Sequence, residues 1–337
     1  MSKIKTLIIH DTDLHGFTAG VIAHYLIEGS KPFSHFEPKH PLHLMPETLP
    51  KLLLNFKADE VYIIDIPINI RNPNEFIQAL INFNKNIGKV HFIDHHKVNV
   101  DIKPLIENGI DIKITNSAYE CSLEVALRFA KIDSFIEEWA LIGALADFDT
   151  SIINQIDKDL EEIVCDVVDN AFKTKRNAII ERLGGKVDEK YGNVGSLTKL
   201  IVEKCITIDK FIDITRELVI PLPLPRYKLI GDVVYTTEMP KVGLAFKTAW
   251  KLCLVTNSKV AIVPSFNPAL NKYSIVISTY WREPDNVKRK VEEFIQTKFK
   301  NRTIVGHFGA KAIDVINLIE FENIPRIAKE LNEFLKS

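Results

Sequence analysis

The sequence predicts an α/β protein in which an N-terminal domain built on a parallel sheet is joined by a linker to a smaller mixed α/β C-terminal domain. Three observations carry that expectation. β-rich runs alternate with helix-length stretches through the first half. Each of those runs ends at an acid. The crossing Pro221-Leu222-Pro223-Leu224-Pro225, which cannot continue a helix, separates this pattern from a second set of strands and helices. A chain of 337 residues exceeds one usual core at about 150 residues per domain, and its 46% hydrophobic content suffices to fill two.

In chain order, Thr6 to Ile9 reads as a strand, Phe17 to Ile27 as a helix, Val61 to Ile64 as a strand, Pro73 to Asn84 as a helix and Val90 to Ile93 as a strand. Tyr119 to Leu183 turns helical, with Ser117 or Ser122 as N-cap and Gly184-Gly185 as a stop. After the crossing, Lys228 to Thr236, Val260 to Pro264 and Tyr273 to Thr279 read as strands, and Val242 to Leu252, Pro284 to Thr297 and Ile324 to Leu335 as helices. The expected division is 1–185, a helical and Pro-rich linker over 186–226, and 227–337.

A net charge of −1 excludes a globally basic nucleic-acid coat, so an anionic substrate must be recognised locally. No apolar run approaches the roughly 20 residues that cross a bilayer, and Met1-Ser2-Lys3 leads into a short strand, so a cytoplasmic protein without a membrane partner is expected. Cys121, Cys165, Cys205 and Cys253 lie at least 40 positions apart, form no C-x-x-C pair and read as buried thiols.

The acids at the strand ends carry the chemistry. The first strand runs into Asp11 and Asp13, the second into Asp65, and the third into Asp94-His95-His96. Ligands of an open α/β sheet bind outside the carboxyl ends of its strands, so these side chains should share one rim. Clustered carboxylates repel unless a cation lies between them. Asp11, Asp13 and His15 alternate with Thr12 and Leu14, and on an extended backbone all three face one side before Gly16 frees the chain to turn. Mixed oxygen and imidazole donors suit Mn²⁺ or a neighbouring first-row metal. A lone strand-end Asp is commonly a helix N-cap, which would account for Asp94 but for neither His95 nor His96.

These residues resemble the DHH phosphoesterase superfamily, of the RecJ-like exonuclease and nanoRNase type. Asp11-Thr12-Asp13-Leu14-His15-Gly16 is similar to its first motif, D/H-x-D-x-D-G, and Asp65 to the second. Asp94-His95-His96 is the third, and Gly143-Ala144-Leu145-Ala146-Asp147 resembles the fourth. Val305-Gly306-His307-Phe308-Gly309-Ala310-Lys311-Ala312 is similar to the GGH-x-x-A-A-G signature of the DHH-associated C-terminal domain.

The resemblance implies a metal-dependent phosphodiesterase or exonuclease with two divalent ions, Mn²⁺ by preference. Asp13 and Asp65 would hold one ion, with Asp11 joining or orienting it. Asp65 would bridge to a second ion held by His15, His95 and Asp147. His96 would contact phosphoryl oxygens, Asp94 would orient the histidine pair, and His307 would neutralise developing charge. His15 stands where the family has its third acid, so the site carries one negative charge fewer.

From Arg282 to Lys311 there are eight basic residues against four acids, an excess of +4 around the last motif. Arg282, Arg302, Gly306 and His307 are the candidate substrate contacts, with Tyr280, Trp281, Phe299 and Phe308 able to stack bases, although Trp281 and Phe299 also suit a core. Single-stranded DNA or RNA, or a short oligonucleotide, is the expected substrate, and a homo-oligomer and a repair or replication partner are compatible with it. Two alternatives stand beside it: hydrolysis of a small phosphoanhydride or nucleotide, and a DHH-like scaffold with little chemistry. His24 and His91 read as structural imidazoles, His35, His40 and His43 as a surface loop, and His10 as pointing away from Asp11.

Overall fold

The computed structural model describes residues 4–27, 31–34, 53, 57–68, 73–98, 100–189, 191–242, 244–267, 271–307, 310–315 and 318–337. His35, His40, His43 and Phe308 lie outside them. The chain divides into two compact units, Met1–Ile220 and Pro221–Ser337.

The first unit is built on five parallel strands, β1 (Ile4–His10), β2 (Lys31–Ser34), β3 (Ala58–Ile64), β4 (Lys89–Asp94) and β5 (Asp111–Ile114), in the order β2-β1-β3-β4-β5. The expected strands β1, β3 and β4 are present. β2 and β5 are additions, each of four residues and too short or too polar to show period-two patterning. The sequence Asp111-Ile112-Lys113-Ile114 is only partly buried or exposed.

Both faces of the sheet are covered, as a parallel sheet requires. Alternation along β1 sends Leu7 and Ile9 to one face, with Val61, Ile63, Phe92 and α2 (Pro73–Asn86). Ile8 goes to the other, with Ile64, Ile93, α1 (Leu14–Leu26) and α4 (Ala118–Arg128). A short α3 (Lys103–Glu107) precedes β5.

α1 is buried throughout its first ten residues, because it packs against α4, α5 (Ser134–Ala146) and α9 (Gly192–Glu203) as well as the sheet. The segment 186–218 thus contributes α9 and α10 (Ile208–Leu218) to the first unit. Between α5 and α9 the chain forms a 3₁₀ turn (Thr150–Gln155), α6 (Lys158–Glu162), a π-helical stretch (Ile163–Val168), α7 (Asp169–Thr174) and α8 (Arg176–Arg182).

The second unit carries a six-stranded sheet in the order β10-β11-β9-β8-β7-β6. Its strands are β6 (Lys228–Ile230), β7 (Val233–Tyr235), β8 (Val260–Asn267), β9 (Lys272–Thr279), β10 (Ile304–His307) and β11 (Ala310–Val315). All pairings are antiparallel except β7 with β8. The expected strand Lys228 to Thr236 is split by a turn at Gly231-Asp232. The segment that resembles a substrate loop is a hairpin arm, because Ile313 and Val315 alternate into the core. α12 (Asp285–Lys298) and α13 (Ile324–Lys336) cover that core, and α11 (Ala245–Thr256) packs on β8 and β9.

Cys121, Cys165 and Cys253 are buried, whereas Cys205 is exposed just past the end of α9. Among the described residues no helix is long and apolar enough to cross a membrane. His10 is fully buried, with Nδ1 donating to the Asp11 carbonyl at 2.7 Å and Nε2 3.3 Å from Thr198 Oγ1. Burial pushes its pKa down to about 4, so it is a neutral structural ring.

Where α5 crosses α1, a Cβ on Gly143 would lie 2.0 Å from Thr18 Oγ1 and 3.3 Å from His15 Cδ2. Thr18 is fully buried and its hydroxyl is tied to the His15 carbonyl at 2.9 Å, so it has nowhere to move. Gly143→Ala should therefore lower the unfolding free energy by about 1–3 kcal/mol, the usual cost of overpacking, in urea titrations with unchanged slope. Wild-type stability in that variant would mean that the helices are not in close contact there.

Candidate metal centre

The strand order places the site. β1 connects to β2 on one side and β3 starts on the other, so the connections diverge at the carboxyl ends of β1 and β3. In doubly wound sheets ligands bind at such a switch point. Asp11 and Asp13 follow β1, Asp65 follows β3, and Asp94 ends β4 one strand further on.

The Asp11–His15 segment is not the extended run that alternation predicts. Asp13 is the N-cap of α1, its Oδ1 accepting from Gly16 N at 2.8 Å, and His15 sits in the first helical turn, brought to the site by helix geometry. Gly16 is required there because a Cβ would lie 2.7 Å from Asp11 Cβ and 2.8 Å from its carbonyl oxygen. Asp65 adopts a left-handed conformation, φ 59°, while its N–H continues the ladder to the Ile93 carbonyl at 2.9 Å. Asp tolerates this region better than most residues, and the turn buries its carboxylate to 1% exposure. Asp94 Oδ1 accepts from His95 N at 2.8 Å, His96 N at 3.3 Å and His96 Nδ1 at 2.7 Å, folding the His pair back over the sheet edge.

Three elements bring side chains to Asp65 at the end of β3. His15 Nδ1 lies 2.9 Å from its Oδ2 and His95 Nε2 lies 3.1 Å from its Oδ1. Asp147, the C-cap of α5, approaches His95 Nε2 at 3.6 Å. The His15 and His95 rings meet edge to face at 4.8 Å. Two groups of donor atoms, each within 4.8 Å of one another, result: Asp65, Asp94, His95 and His96, and His15, His95 and Asp147. Asp11 and Asp13 belong to neither group, but both feel the charge of Asp65.

Among the described residues five buried atoms, His15 Nδ1, both Asp65 oxygens, Asp94 Oδ2 and His95 Nε2, make no hydrogen bond of full geometry, although His15 Nδ1 and His95 Nε2 stand at ion-pair distance from Asp65. The His15 tautomer is set from behind, since Nε2 is 2.9 Å from the Ala118 carbonyl and can only donate to it. In the neutral ring Nδ1 is then a lone pair facing a carboxylate. An unpaired buried polar group costs about 1–3 kcal/mol, a penalty that a divalent cation between His15, Asp65 and His95 would offset. The donor set, imidazole with carboxylate, fits a first-row ion such as Mn²⁺.

Protonation follows the same crowding. Burial, with the charges of Asp13 and Asp65, pushes Asp11 up to about 8, and burial with Asp65 pushes Asp13 up to about 6. Burial also raises Asp147. Burial opposes a charged His15, but Asp65 outweighs it and raises the ring to about 10. His96 rises to about 9 because Asp94 outweighs its burial. Burial acts to raise Asp65 as well, yet the flanking His15 and His95 hold it well below the usual carboxylate range.

Arg282, Arg302, Gly306 and His307 belong to the second unit. Arg302 is ion-paired with Glu320 at 2.9 Å, and Arg282 lies 5.5 Å from the centroid of the Trp281 ring. Gly306 and His307 lie in β10, with backbones opposite Lys311 and Ala310. Tyr280 and Trp281 are core residues, 5% and 6% exposed.

No family model and no curated protein matches the chain. Among solved structures, a pGpG-specific phosphodiesterase, PggH from Vibrio cholerae, superposes over 98% of this chain and 99% of its own, with a TM-score of 0.50 and 12% identity. The chain has a DHH-like fold. Exonuclease RecJ bound to manganese matches 98% of this chain and 90% of its own at TM-score 0.43 and 14% identity. Within the DHH-like fold, two contributors have no signature in the motifs. One is the Ala118 carbonyl that orients His15. The other is Asp149, whose Oδ2 accepts from Tyr119 N and Oδ1 from Ser151 N, both at 2.8 Å, tying the start of α4 to the end of α5.

Asp11, Asp13, His15 and His96 all have folded-state pKa values above their ordinary ones, so these four groups bind more protons in the metal-free fold than in the unfolded chain. The stability they contribute falls as pH rises through these values, against an opposite contribution below about pH 6.5 from His10 and His24, whose burial lowers them. Asp65 is ionised throughout that window and adds no slope. A divalent ion displaces the same protons, so the Mn²⁺-induced rise in Tm should grow between pH 5 and pH 8. Thermal melts with and without Mn²⁺ check this, and a rise that shrinks with pH would refute it.

Proposed function

We propose that the protein is a metal-dependent phosphoesterase that hydrolyses phosphodiester bonds of single-stranded nucleic acid or short oligonucleotides. The observation that carries the reading is the convergence of two groups of donor residues, Asp65 with Asp94, His95 and His96, and His15 with His95 and Asp147, the donor atoms of each lying within 4.8 Å of one another. His15, His95 and Asp147 would hold one divalent ion, and Asp65 with Asp13 another, with Asp11 beside it.

Such ions supply Lewis acidity toward a phosphoryl oxygen and lower the pKa of water, which is how neutral-pH hydrolysis of a phosphoester is commonly achieved. The protein's own groups do the rest. His96 commits Nδ1–H to Asp94, leaving Nε2 of a partly exposed ring to donate to a non-bridging oxygen. Its raised pKa keeps that ring charged near neutrality, so it offsets charge building on phosphorus oxygens. Asp94, fully buried, fixes the direction of that donor. In this reading the second unit contributes His307 and Gly306, with Arg282 and Arg302, to substrate contact.

The charge pattern of the second unit favours short substrates. Glu320 and Glu330, both outside the Arg282–Lys311 window, pair with Arg302 at 2.9 Å and with Lys298. They lower the excess of +4 by two, so half of it is neutralised within the fold. A long polymer depends on that remaining excess, whereas a short oligonucleotide or a small phosphoanhydride needs only the cluster and its immediate surroundings.

His95→Ala should lower kcat/KM for a short oligonucleotide in Mn²⁺ by more than about 100-fold with unchanged circular dichroism, and Asp94→Asn by about 10- to 100-fold, the usual effect of removing a ligand's supporting partner. Retained hydrolysis in the His95 variant ends the assignment. A panel of end-labelled single strands, dinucleotides, cyclic dinucleotides and pyrophosphate, run across a salt series, separates the substrate classes. Short substrates should show a shallow dependence of affinity on salt. A steep dependence with a preference for long strands would identify a polymer nuclease.

A further inference from the structure

Arg176 opens α8, far in sequence from every motif. Its Nη2 donates to the Thr12 carbonyl at 2.8 Å and its Nε to the Phe172 carbonyl at 2.9 Å, and its guanidinium lies 4.7 Å from the centroid of the Phe172 ring. Phe172 is fully buried and packs tilted against Phe17 of α1 with ring centroids 4.8 Å apart. The guanidinium is therefore held from a rigid base, and its two donors define a fixed direction toward Thr12.

Thr12 is the single residue between Asp11 and Asp13. Those carboxylates repel each other and Asp65, and the connection from β1 to α1 is short enough that rotation of the Thr12 peptide would relieve the repulsion by spreading them. Thr12 N–H is bonded to Asp11 itself, and Asp13 Oδ1 to Gly16 N on the helix side. The Asp11 carbonyl is held by the adjacent His10, and the Thr12 carbonyl, one peptide further toward Asp13, is joined to α8 by the bond from Arg176.

We propose that Arg176 is a positioning residue that clamps the Thr12 peptide, holding Asp11 and Asp13 together for the cation. This rests on the reading of the cluster as a metal site. It acts through the backbone between the two acids. The fold thereby holds the repulsion in place before an ion arrives, so less of the ion's binding free energy goes into gathering ligands.

The test compares Arg176→Met, which keeps an apolar stem over Phe172 and removes the donors, with Arg176→Lys, which keeps one charge and a donor. Mn²⁺ affinity is read by electron paramagnetic resonance titration at fixed pH and salt, alongside the Tm of the metal-free proteins. Arg176→Met should bind Mn²⁺ about 10- to 100-fold more weakly, with a metal-free Tm close to wild type and Arg176→Lys between the two. Wild-type affinity in Arg176→Met overturns the proposal, and so does a variant whose metal-free Tm falls while its affinity is unchanged, since that is a structural prop alone. If Arg176→Met does not fold, Arg176→Lys decides: affinity several-fold below wild type supports the clamp, and equal affinity refutes it. A wild-type protein that binds no Mn²⁺ sinks the metal-site reading itself, which keeps the two failures distinct.

Discussion

The site depends on one carboxylate held where it is least comfortable. Asp65 is buried to 1% exposure, adopts a left-handed backbone and faces two imidazole nitrogens at 2.9 and 3.1 Å. Burial of an ionised carboxylate is tolerated only where positive charge answers it. The flanking His15 and His95 can answer as imidazolium rings or as co-ligands of a cation, and His15 Nε2 is already committed to the Ala118 carbonyl. The arrangement of β1, β3, β4, α1, α4 and α5 around this residue follows from bringing those partners to it.

Much of this was legible in the sequence, for physical reasons that differ by residue. Asp65 and Asp94-His95-His96 could be placed because a buried parallel strand is an apolar run and its end is marked by the first acid. The switch point could not, because β2 and β5 are short and carry no alternation, and without them the order β2-β1-β3-β4-β5 is unreadable. His15 was assigned to the right rim through the wrong backbone. Alternation on a strand and the first turn of a capped helix both turn residues 13 and 15 toward a common region, and the capping role of Asp13 decides between them. Arg176 and the Ala118 carbonyl left no signal, since a guanidinium bonded to a backbone oxygen 164 positions away has no local pattern.

The second unit shows the converse. Its helices α12 and α13 follow directly from amphipathic spacing, but the charge count around the last motif overstated what is available to a ligand. Composition counts cations, whereas the fold pairs them: Glu320 and Glu330 lie outside the Arg282–Lys311 window, yet engage Arg302 and Lys298. A local excess read from sequence is an upper bound on the field a substrate meets, because acids distant in sequence enter it on folding.

His15 bears on whether the cluster is working chemistry or a relic. Its imidazole in place of a carboxylate removes one negative charge, which by itself would suit a protein losing its metal. The hydrogen bond behind it argues the other way. Donation from Nε2 to Ala118 leaves the neutral ring's Nδ1 as a directed lone pair beside Asp65, the second-partner arrangement that orients metal-bound histidines. A scaffold under no demand for metal would gain by filling this space with apolar or mutually hydrogen-bonded groups, since each orphaned buried atom costs free energy. Retaining five buried atoms without a full hydrogen bond in one cluster is costly for a scaffold, and on the proposed reading of a metal site His15 changes the character of a ligand rather than removing it.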